Sequence, residues 1–433
     1  MRFGTLTTAL TLAVGAATLF APVSRADSVL VTDDQRRIDE KAVQLLADPA
    51  VKEVREAVLK QWSSLPTAKS ADGQKLLDEA VDEATFAGVR AAVADPAHPI
   101  VQWIETAPYS LGKLQVSGSR LAGDSPDRIY RQIAVSPAYR YEIRGKRNAQ
   151  PSLDAFSFEA SNFTALAVLT SKDIDVAADG SFVVTADSTP ANGQRNHLTL
   201  PEGTVSILIR DTLSDWSRQQ PNILTVKRID GAEASPRTEE ELRRDAVNEV
   251  TKGAKFTHDW LSKASQTPAN TLKALVRPLE FGVKGAIIAT GRFDIGEDEA
   301  LVVTVAPEDA QYVGFQVLDP WFRSIPYWNR ISSLSDRQAK RNADGSLTYI
   351  IAAKDPGYHN WIDTGGLKEG LILSRIENFT ATPDVNKVVR EAKIVKLENL
   401  AAALPKDAAK ISRAERAQQI EQRGADYLRR LQG

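Results

Sequence analysis

Apolar residues recur every three or four positions between residues 32 and 95, which predicts two or three amphipathic helices. Thr32 and Gln35 have the spacing of a capping box at the start of the first helix. Asp48-Pro49 interrupts the pattern, and a second run extends from Gly73 to Val93. We therefore expect a group of helices that packs its apolar faces on a larger body.

After residue 100 the pattern changes to short segments in which apolar and polar residues alternate, as in half-buried strands. Turn signals such as Asn192-Gly193 separate these segments. Their spacing favours an antiparallel sandwich over alternating strands and helices. The candidate strands are Tyr139–Arg144, Phe156–Phe158, Phe182–Thr185 and Val205–Arg210.

A helix is predicted over residues 237–263, where Thr238 and Glu241 form a second capping-box pattern. A second series of strands follows it, with Asp344-Gly345 predicted as a hairpin turn. One apolar face over Ala408–Leu431 predicts a C-terminal surface helix. The strands of the second series are Leu301–Val305, Val313–Leu318, Leu347–Ala352 and Leu371–Arg375.

The predicted fold class is α+β, mainly β, with two consecutive antiparallel β-sandwich domains of jelly-roll-like form, a helical N-terminal segment and a C-terminal helix. A chain of 433 residues exceeds the size of one hydrophobic core, which supports two domains. The predicted boundaries are 1–26 (signal peptide), 27–98 (helical segment), 99–236 (first sandwich), 237–265 (connecting helix), 266–400 (second sandwich) and 401–433 (C-terminal helix).

The first 26 residues have the features of a cleavable export signal. Arg2 provides the positive charge, Leu6–Phe20 the apolar run, and Ser24-Arg25-Ala26 the small-x-small cleavage site. We expect an exported bacterial protein that works in the periplasm, at the cell envelope or outside the cell. No later stretch reaches the roughly twenty apolar residues of a membrane span.

Composition excludes several function classes. The net charge is −2, which argues against a nucleic-acid-binding face, and cysteine is absent, which excludes thiol chemistry and thiolate metal sites. The four histidines are scattered, and no nucleophile elbow or phosphate-binding loop occurs. We therefore predict no cofactor and no metal.

Three groups of residues have a distinctive composition: Gly123–Tyr130 with Tyr139–Gly145, Arg210–Trp216, and Asp344–Ser346 with Asp355–Gly366, Glu369-Gly370 and Arg375. These groups resemble a bacterial family known as domain of unknown function 1214. They span roughly residues 115 to 380, although Ser125 and Arg128 stand where the family usually has Asn, and Leu367 where His is frequent. The resemblance implies two consecutive sandwich or jelly-roll-like domains and no settled biochemical role.

The turn-rich segment Asp355–Gly366 is the first candidate site. His359 is a candidate acid, base or ligand, with Asp363 as its orienting partner. The neighbouring Tyr358, Asn360 and Trp361 are candidate ligand contacts. The alternative is a structural turn that caps the sandwich and buries Trp361.

Two further groups are candidate binding residues. Asp124 and Asp127 flank an acidic turn whose carboxylates suit calcium or sugar hydroxyls, although Asp before Ser-Pro is also ordinary turn chemistry. Trp321 and Trp328 belong to a dense aromatic segment that suits either a stacking platform or a sandwich core.

Three functions are compatible with these patterns. The first is binding of a small or oligomeric ligand, glycan or lipid-like, at loops that follow the strands. The second is a cell-envelope hydrolase or lyase that uses His359 with Asp363 or Asp127. The third is a self-assembling structural protein, in which the sandwiches form a homo-oligomer.

Overall fold

The computed structural model describes residues 21–22, 28–147, 157–162, 164–231, 234–277, 286–381 and 383–432. Apart from Ala21-Pro22, the predicted signal peptide lies outside the described residues, as does Phe156 of one predicted strand.

The helices begin where the sequence provides capping side chains. The Thr32 hydroxyl accepts a hydrogen bond from the Gln35 amide at 3.1 Å, and Asp48 caps the helix that Pro49 starts. Thr238 and Glu241 form the complete capping box predicted for them. The described helices are α1 (Asp33–Leu45), α2 (Pro49–Ser63), α3 (Ala71–Val93), α4 (Glu239–Ala264), α5 (Val385–Val388), α6 (Leu400–Ala403) and α7 (Arg413–Gln432).

Short strands occupy most of the remaining chain. The first group is β1 (Ala21–Pro22), β2 (Gln102–Ile104), β3 (Tyr109–Leu111), β4 (Leu114–Val116), β5 (Arg128–Ala134), β6 (Tyr141–Lys146), β7 (Ser157–Ser161), β8 (Ala165–Thr170), β9 (Ser181–Asp187), β10 (His197–Thr199), β11 (Ser206–Thr212) and β12 (Ile223–Arg228). The second group is β13 (Thr271–Val276), β14 (Ile287–Asp294), β15 (Glu299–Val305), β16 (Tyr312–Leu318), β17 (Ser333–Ser335), β18 (Leu347–Ala352), β19 (Trp361–Asp363), β20 (Glu369–Glu377) and β21 (Val389–Lys396).

The first sandwich pairs a sheet of order β2-β5-β11-β7-β8 with a sheet of order β10-β9-β6-β12. Its core consists of aliphatic and aromatic side chains that alternate along the strands, among them Ile133, Ile143, Phe158, Val184 and Ile207. A small sheet of order β1-β3-β4 accompanies it.

The second sandwich pairs a sheet of order β13-β14-β20-β16-β17 with a sheet of order β19-β18-β15-β21. Phe293, Leu301, Val313, Tyr349 and Ile372 belong to its core. These two sandwiches, the N-terminal helices and a C-terminal helix confirm the predicted fold class.

Several details differ from the sequence prediction. Short parallel strands complete the antiparallel sheets, since β10 pairs in parallel with β9 and β19 with β18. Asp344-Gly345 forms a turn, but it joins β17 to β18, which lie in different sheets, so the hairpin prediction is wrong. The C-terminal helix begins at Arg413, later than the predicted Ala408.

The helix α4 belongs to a helical unit as well as connecting the sandwiches. It packs along α2 and α3, and at the closest approach a side chain on Gly88 would meet the backbone of Val250. Trp62 lies in this core, stacks on Trp321 with ring centroids 5.5 Å apart, and donates a hydrogen bond to the Ala254 carbonyl. Trp321 lies between β16 and β17 of the second sandwich, so this stack joins the helical unit to that sandwich.

Within the described part of the chain, no helix has the length and apolar character required to cross a membrane.

We expect Trp62→Ala to lower the free energy of unfolding by about 3–5 kcal/mol, because a large, fully buried ring is replaced by a cavity. Urea denaturation would measure the loss. Ile223→Ala, at an exposed position on β12, is the control and should change the value by no more than about 0.5 kcal/mol. Equal effects of the two substitutions would contradict the proposed role of Trp62.

Candidate functional site

The segment Asp355–Gly366 is built around Asn360, whose side chain is buried and fully hydrogen-bonded. Its amide nitrogen donates to the carbonyls of Lys340 at 2.7 Å and Thr348 at 3.0 Å, and its oxygen accepts from the Lys340 amide at 2.8 Å. These contacts bond Asn360 to two neighbouring stretches of the second sandwich. Its polar atoms therefore maintain the fold of the loop.

Trp361 and Tyr358 form the surface on which the C-terminal segment docks. Trp361 is buried, and its indole nitrogen donates to the Ala352 carbonyl at 2.8 Å. The guanidinium of Arg416, on α7, lies 5.1 Å from the Trp361 ring centroid, binds Asp355 at 2.9 Å and donates to the Tyr358 carbonyl. The turn-rich segment thus provides a surface on which α7 packs.

The candidate pair His359 and Asp363 have separate partners. His359 Nδ1 lies 3.3 Å from the Asn360 side-chain oxygen, and burial lowers the pKa of the imidazole. Asp363 forms an ion pair with Arg330 at 3.1 Å and accepts a hydrogen bond from the Gly365 amide at 2.8 Å. The structure therefore places neither residue as the orienting partner of the other.

Asp124 and Asp127 are both buried at the junction of the two sandwiches. Asp124 accepts hydrogen bonds from the amide and hydroxyl of Ser324, and burial raises its pKa to about 6. Asp127 accepts from the indole of Trp216 and the hydroxyl of Tyr312, both at 2.9 Å, and burial raises its pKa as well. These carboxylates hold the two sandwiches together.

Trp321 and Trp328 lie in the hydrophobic core. The indole nitrogen of Trp321 donates to the Gly73 carbonyl at 2.8 Å, on the side where its ring stacks on the helical unit. Trp328 packs against Tyr427 of α7, and the guanidinium of Arg120 lies 5.5 Å from its ring centroid. Neither ring forms an exposed stacking platform. In the described chain, His, Asp and Glu side chains form no group of three suited to hold a metal ion.

A cleft that the sequence analysis missed lies between α4 and the outer face of β14 and β20. It has a volume of about 220 Å³ and is lined mainly by apolar surface. Trp260 and Phe322 provide two flat rings that stack with centroids 3.5 Å apart and planes 4° from parallel. Phe322 adopts a left-handed backbone conformation with φ of 66°, which turns its ring away from that of Trp321.

The cleft has cationic groups at one side. Lys263 is in the last turn of α4, and Arg292 extends from β14, where its guanidinium donates to the carbonyls of Ser265 and Thr267. A wall of aromatic and aliphatic carbon beside fixed positive charge is suited to a small molecule with an apolar body and an anionic group.

One solved structure shares the fold of this chain. A crystal structure of an uncharacterised protein from Burkholderia cenocepacia is 24% identical, with a TM-score of 0.66 over 84% of this chain and 100% of that one. The VPA0106 protein of Vibrio parahaemolyticus is 13% identical, with a TM-score of 0.37 over 63% of this chain and 90% of its own. No family model matches the chain, and no curated protein matches it in sequence.

We expect Arg416→Gln to loosen the docking of α7, because the buried charged hydrogen bonds to Asp355 and the Tyr358 carbonyl are removed. The loss should be about 1.5–3 kcal/mol per charged bond at most. Hydrogen exchange followed by mass spectrometry would show faster exchange over residues 413–432. The half-exposed Arg330→Gln is the control; unchanged exchange in Arg416→Gln would contradict the docking role.

Proposed function

We propose that this protein is an exported binding protein for a small amphipathic carboxylate, held in the cleft between α4 and the second sandwich. The observation that carries the proposal is the pair of stacked rings, Trp260 and Phe322, beside the cationic groups of Lys263 and Arg292. The ligand class is an aromatic acid or a short acyl acid.

The size of the cleft supports a ligand of this class. A dry apolar cavity of about 150 Å³ accepts a benzene molecule. A cleft of about 220 Å³ therefore has room for one or two fused rings, or for a short acyl chain. A long lipid tail or an oligosaccharide would extend well beyond it.

The polar groups at the cleft support an anionic ligand. The titratable groups among its described lining residues are Lys263 and Arg292, both cationic at neutral pH. A carboxylate placed between them gains favourable interactions that a neutral molecule lacks. The lining favours binding over turnover, since these cations provide no acid–base pair of the kind that hydrolysis requires.

Other parts of the proposal rest on sequence alone. The N-terminal signal pattern supports export, and the resemblance to domain of unknown function 1214 supports placing the chain in that family. The helical unit gives the cleft one rigid wall, because α4 is packed against α2 and α3 along its other face.

Isothermal titration calorimetry of the full chain with 2-naphthoate tests this proposal. We expect Trp260→Ala to weaken binding at least tenfold, which corresponds to about 1.4 kcal/mol, because the stacked wall of the cleft is removed. Phe256→Ala is the matched control, since Phe256 lies one turn earlier on α4, is exposed and does not line the cleft; its affinity should match that of the wild type.

The charge requirement has its own control. Lys263→Gln should weaken binding of 2-naphthoate and leave binding of the neutral 2-naphthol unchanged, because only the carboxylate interacts with the ammonium group. An absence of measurable heat with the folded wild-type protein, or equal affinities for Trp260→Ala and Phe256→Ala, would refute the proposal.

A further inference from the structure

Four arginines converge where the outer face of the first sandwich meets the outer face of the second. Arg128 and Arg210 extend from β5 and β11 of the first sandwich, and Arg375 and Arg277 from β20 and the end of β13 of the second. We name this group the inter-sandwich arginine cluster. It lies outside the cleft described above, since none of its members lines that cleft.

The strand register places the first two arginines on one face. Arg128 pairs across the sheet with Thr212, and Arg210 pairs with Tyr130 on one side and Ser157 on the other. Positions two residues apart on neighbouring strands are diagonal neighbours, so the two guanidinium groups project into the same space.

The second sandwich contributes both acidic and basic side chains to this space. Glu377 forms an ion pair with Arg128 across the interface, and its other oxygen lies 3.6 Å from Arg277. Arg375, two residues earlier on β20, donates to the neutral acceptors Gln316 and Gly123. The cluster therefore joins the sandwiches through charged groups.

Among the described residues, the arginines of this cluster outnumber the carboxylates paired with them. Glu377 pairs with Arg128 and Glu159 pairs with Arg210, whereas Arg375 has neutral hydrogen-bond partners and the described ion-pair partner of Arg277 is Glu377, 3.6 Å away. A third carboxyl, the half-buried Glu105, provides little compensation at neutral pH, because burial and the nearby Asp124 raise its pKa to about 8.

Several donors of the cluster have no acceptor among the described residues. Arg128 is more than nine-tenths buried, yet its Nη1 has no hydrogen-bond partner there, and neither has Nε of Arg210. Glu377 Oε1 also makes no hydrogen bond within that part of the chain. Buried, unpaired guanidinium N–H groups are costly, which makes them effective anion ligands.

Burial and mutual repulsion both act on Arg277. Burial, followed by the charges of Arg210 and Arg128, lowers its pKa to about 10. The side chains of Arg277 and Arg210 each retain 12% of their accessible surface, whereas those of Arg128 and Glu377 retain 3% and 2%. The Arg210–Arg277 end is therefore the less buried end of the cluster.

We propose that the inter-sandwich arginine cluster binds a doubly charged tetrahedral oxyanion, either inorganic phosphate or the phosphate group of a small monoester. Among the described residues, arginines outnumber the carboxylates paired with them, which favours an anionic ligand, and planar guanidinium groups donate paired hydrogen bonds to phosphate oxygens. The anion would enter beside Arg277 and accept hydrogen bonds from the unpaired donors of Arg128 and Arg210.

Equilibrium dialysis of the full chain against labelled inorganic phosphate, at constant ionic strength, tests this site. We expect saturable binding of one phosphate per chain, and Arg277→Gln should weaken it at least tenfold. Arg330→Gln is the matched control, since it removes a surface arginine of the same sandwich, and should leave affinity unchanged. Competition by glycerol 3-phosphate that exceeds competition by free phosphate would identify a monoester as the preferred ligand.

Glu105→Gln provides a second variant with an independent readout. The affinity of the wild type for labelled sulfate, which stays doubly charged over this range, should fall as the pH rises from 7 to 9, because Glu105 becomes negatively charged near pH 8. The glutamine variant should lose most of that fall. This comparison decides the matter if Arg277→Gln does not fold. A folded wild type that binds no phosphate at 10 mM, displacement by equimolar chloride, or equal effects of Arg277→Gln and Arg330→Gln would overturn the proposal.

Discussion

Glu83 is the buried carboxylate through which the helical unit is joined to both sandwiches. It lies on α3 and accepts hydrogen bonds from the backbone amide of Arg120 at 2.7 Å and from the guanidinium of Arg323 at 2.8 Å. Arg120 leads into the first sandwich, and Arg323 belongs to the second. An ionised carboxylate can be buried here only because two cations surround it, and loss of either cation would leave an uncompensated charge.

The same network fixes the geometry of the cleft. Asp319 binds the guanidinium of Arg323 at 2.8 Å and accepts a hydrogen bond from its amide, so the turn between them is rigid. Phe322 lies within this turn, and its φ of 66° directs the ring over Gly123, where a side chain would meet it at 2.6 Å. The stacking of Phe322 on Trp260 therefore depends on an ion-pair network whose members, Asp319 and Arg323, do not line the cleft.

Local signals in the sequence predicted the elements of the fold well. Capping pairs such as Thr238 with Glu241 mark helix starts by contacts within one turn, and alternation marks strands such as Leu347–Ala352, which agrees residue for residue. The packing of elements that are distant in sequence could not be predicted from these local signals. The pattern placed α4 between two sandwiches, but only the structure shows that it completes a helical unit with α2 and α3.

The candidate sites illustrate the same limit. The sequence predicts Trp361 either as a ligand contact or as a buried residue in a turn that caps the sandwich. Arg416, which packs over its ring, is more than fifty residues away in sequence. Trp321 and Phe322 are adjacent, yet the former enters the core and the latter lines the cleft, because Phe322 itself has a left-handed backbone conformation. Strand arginines are equally ambiguous, since Arg144 is exposed whereas Arg128 is buried against Glu377.

The cores of the sandwiches and the interface between them differ in polarity, because these arginines lie at the interface. Each sandwich has its own core of aliphatic and aromatic side chains. The outer faces that meet between them also contain charged groups, among them Arg128, Arg210 and Arg375. Buried charged groups contribute little net stability, because their desolvation offsets their attraction. The arginines therefore determine how the two sandwiches fit together more than how strongly they are held together.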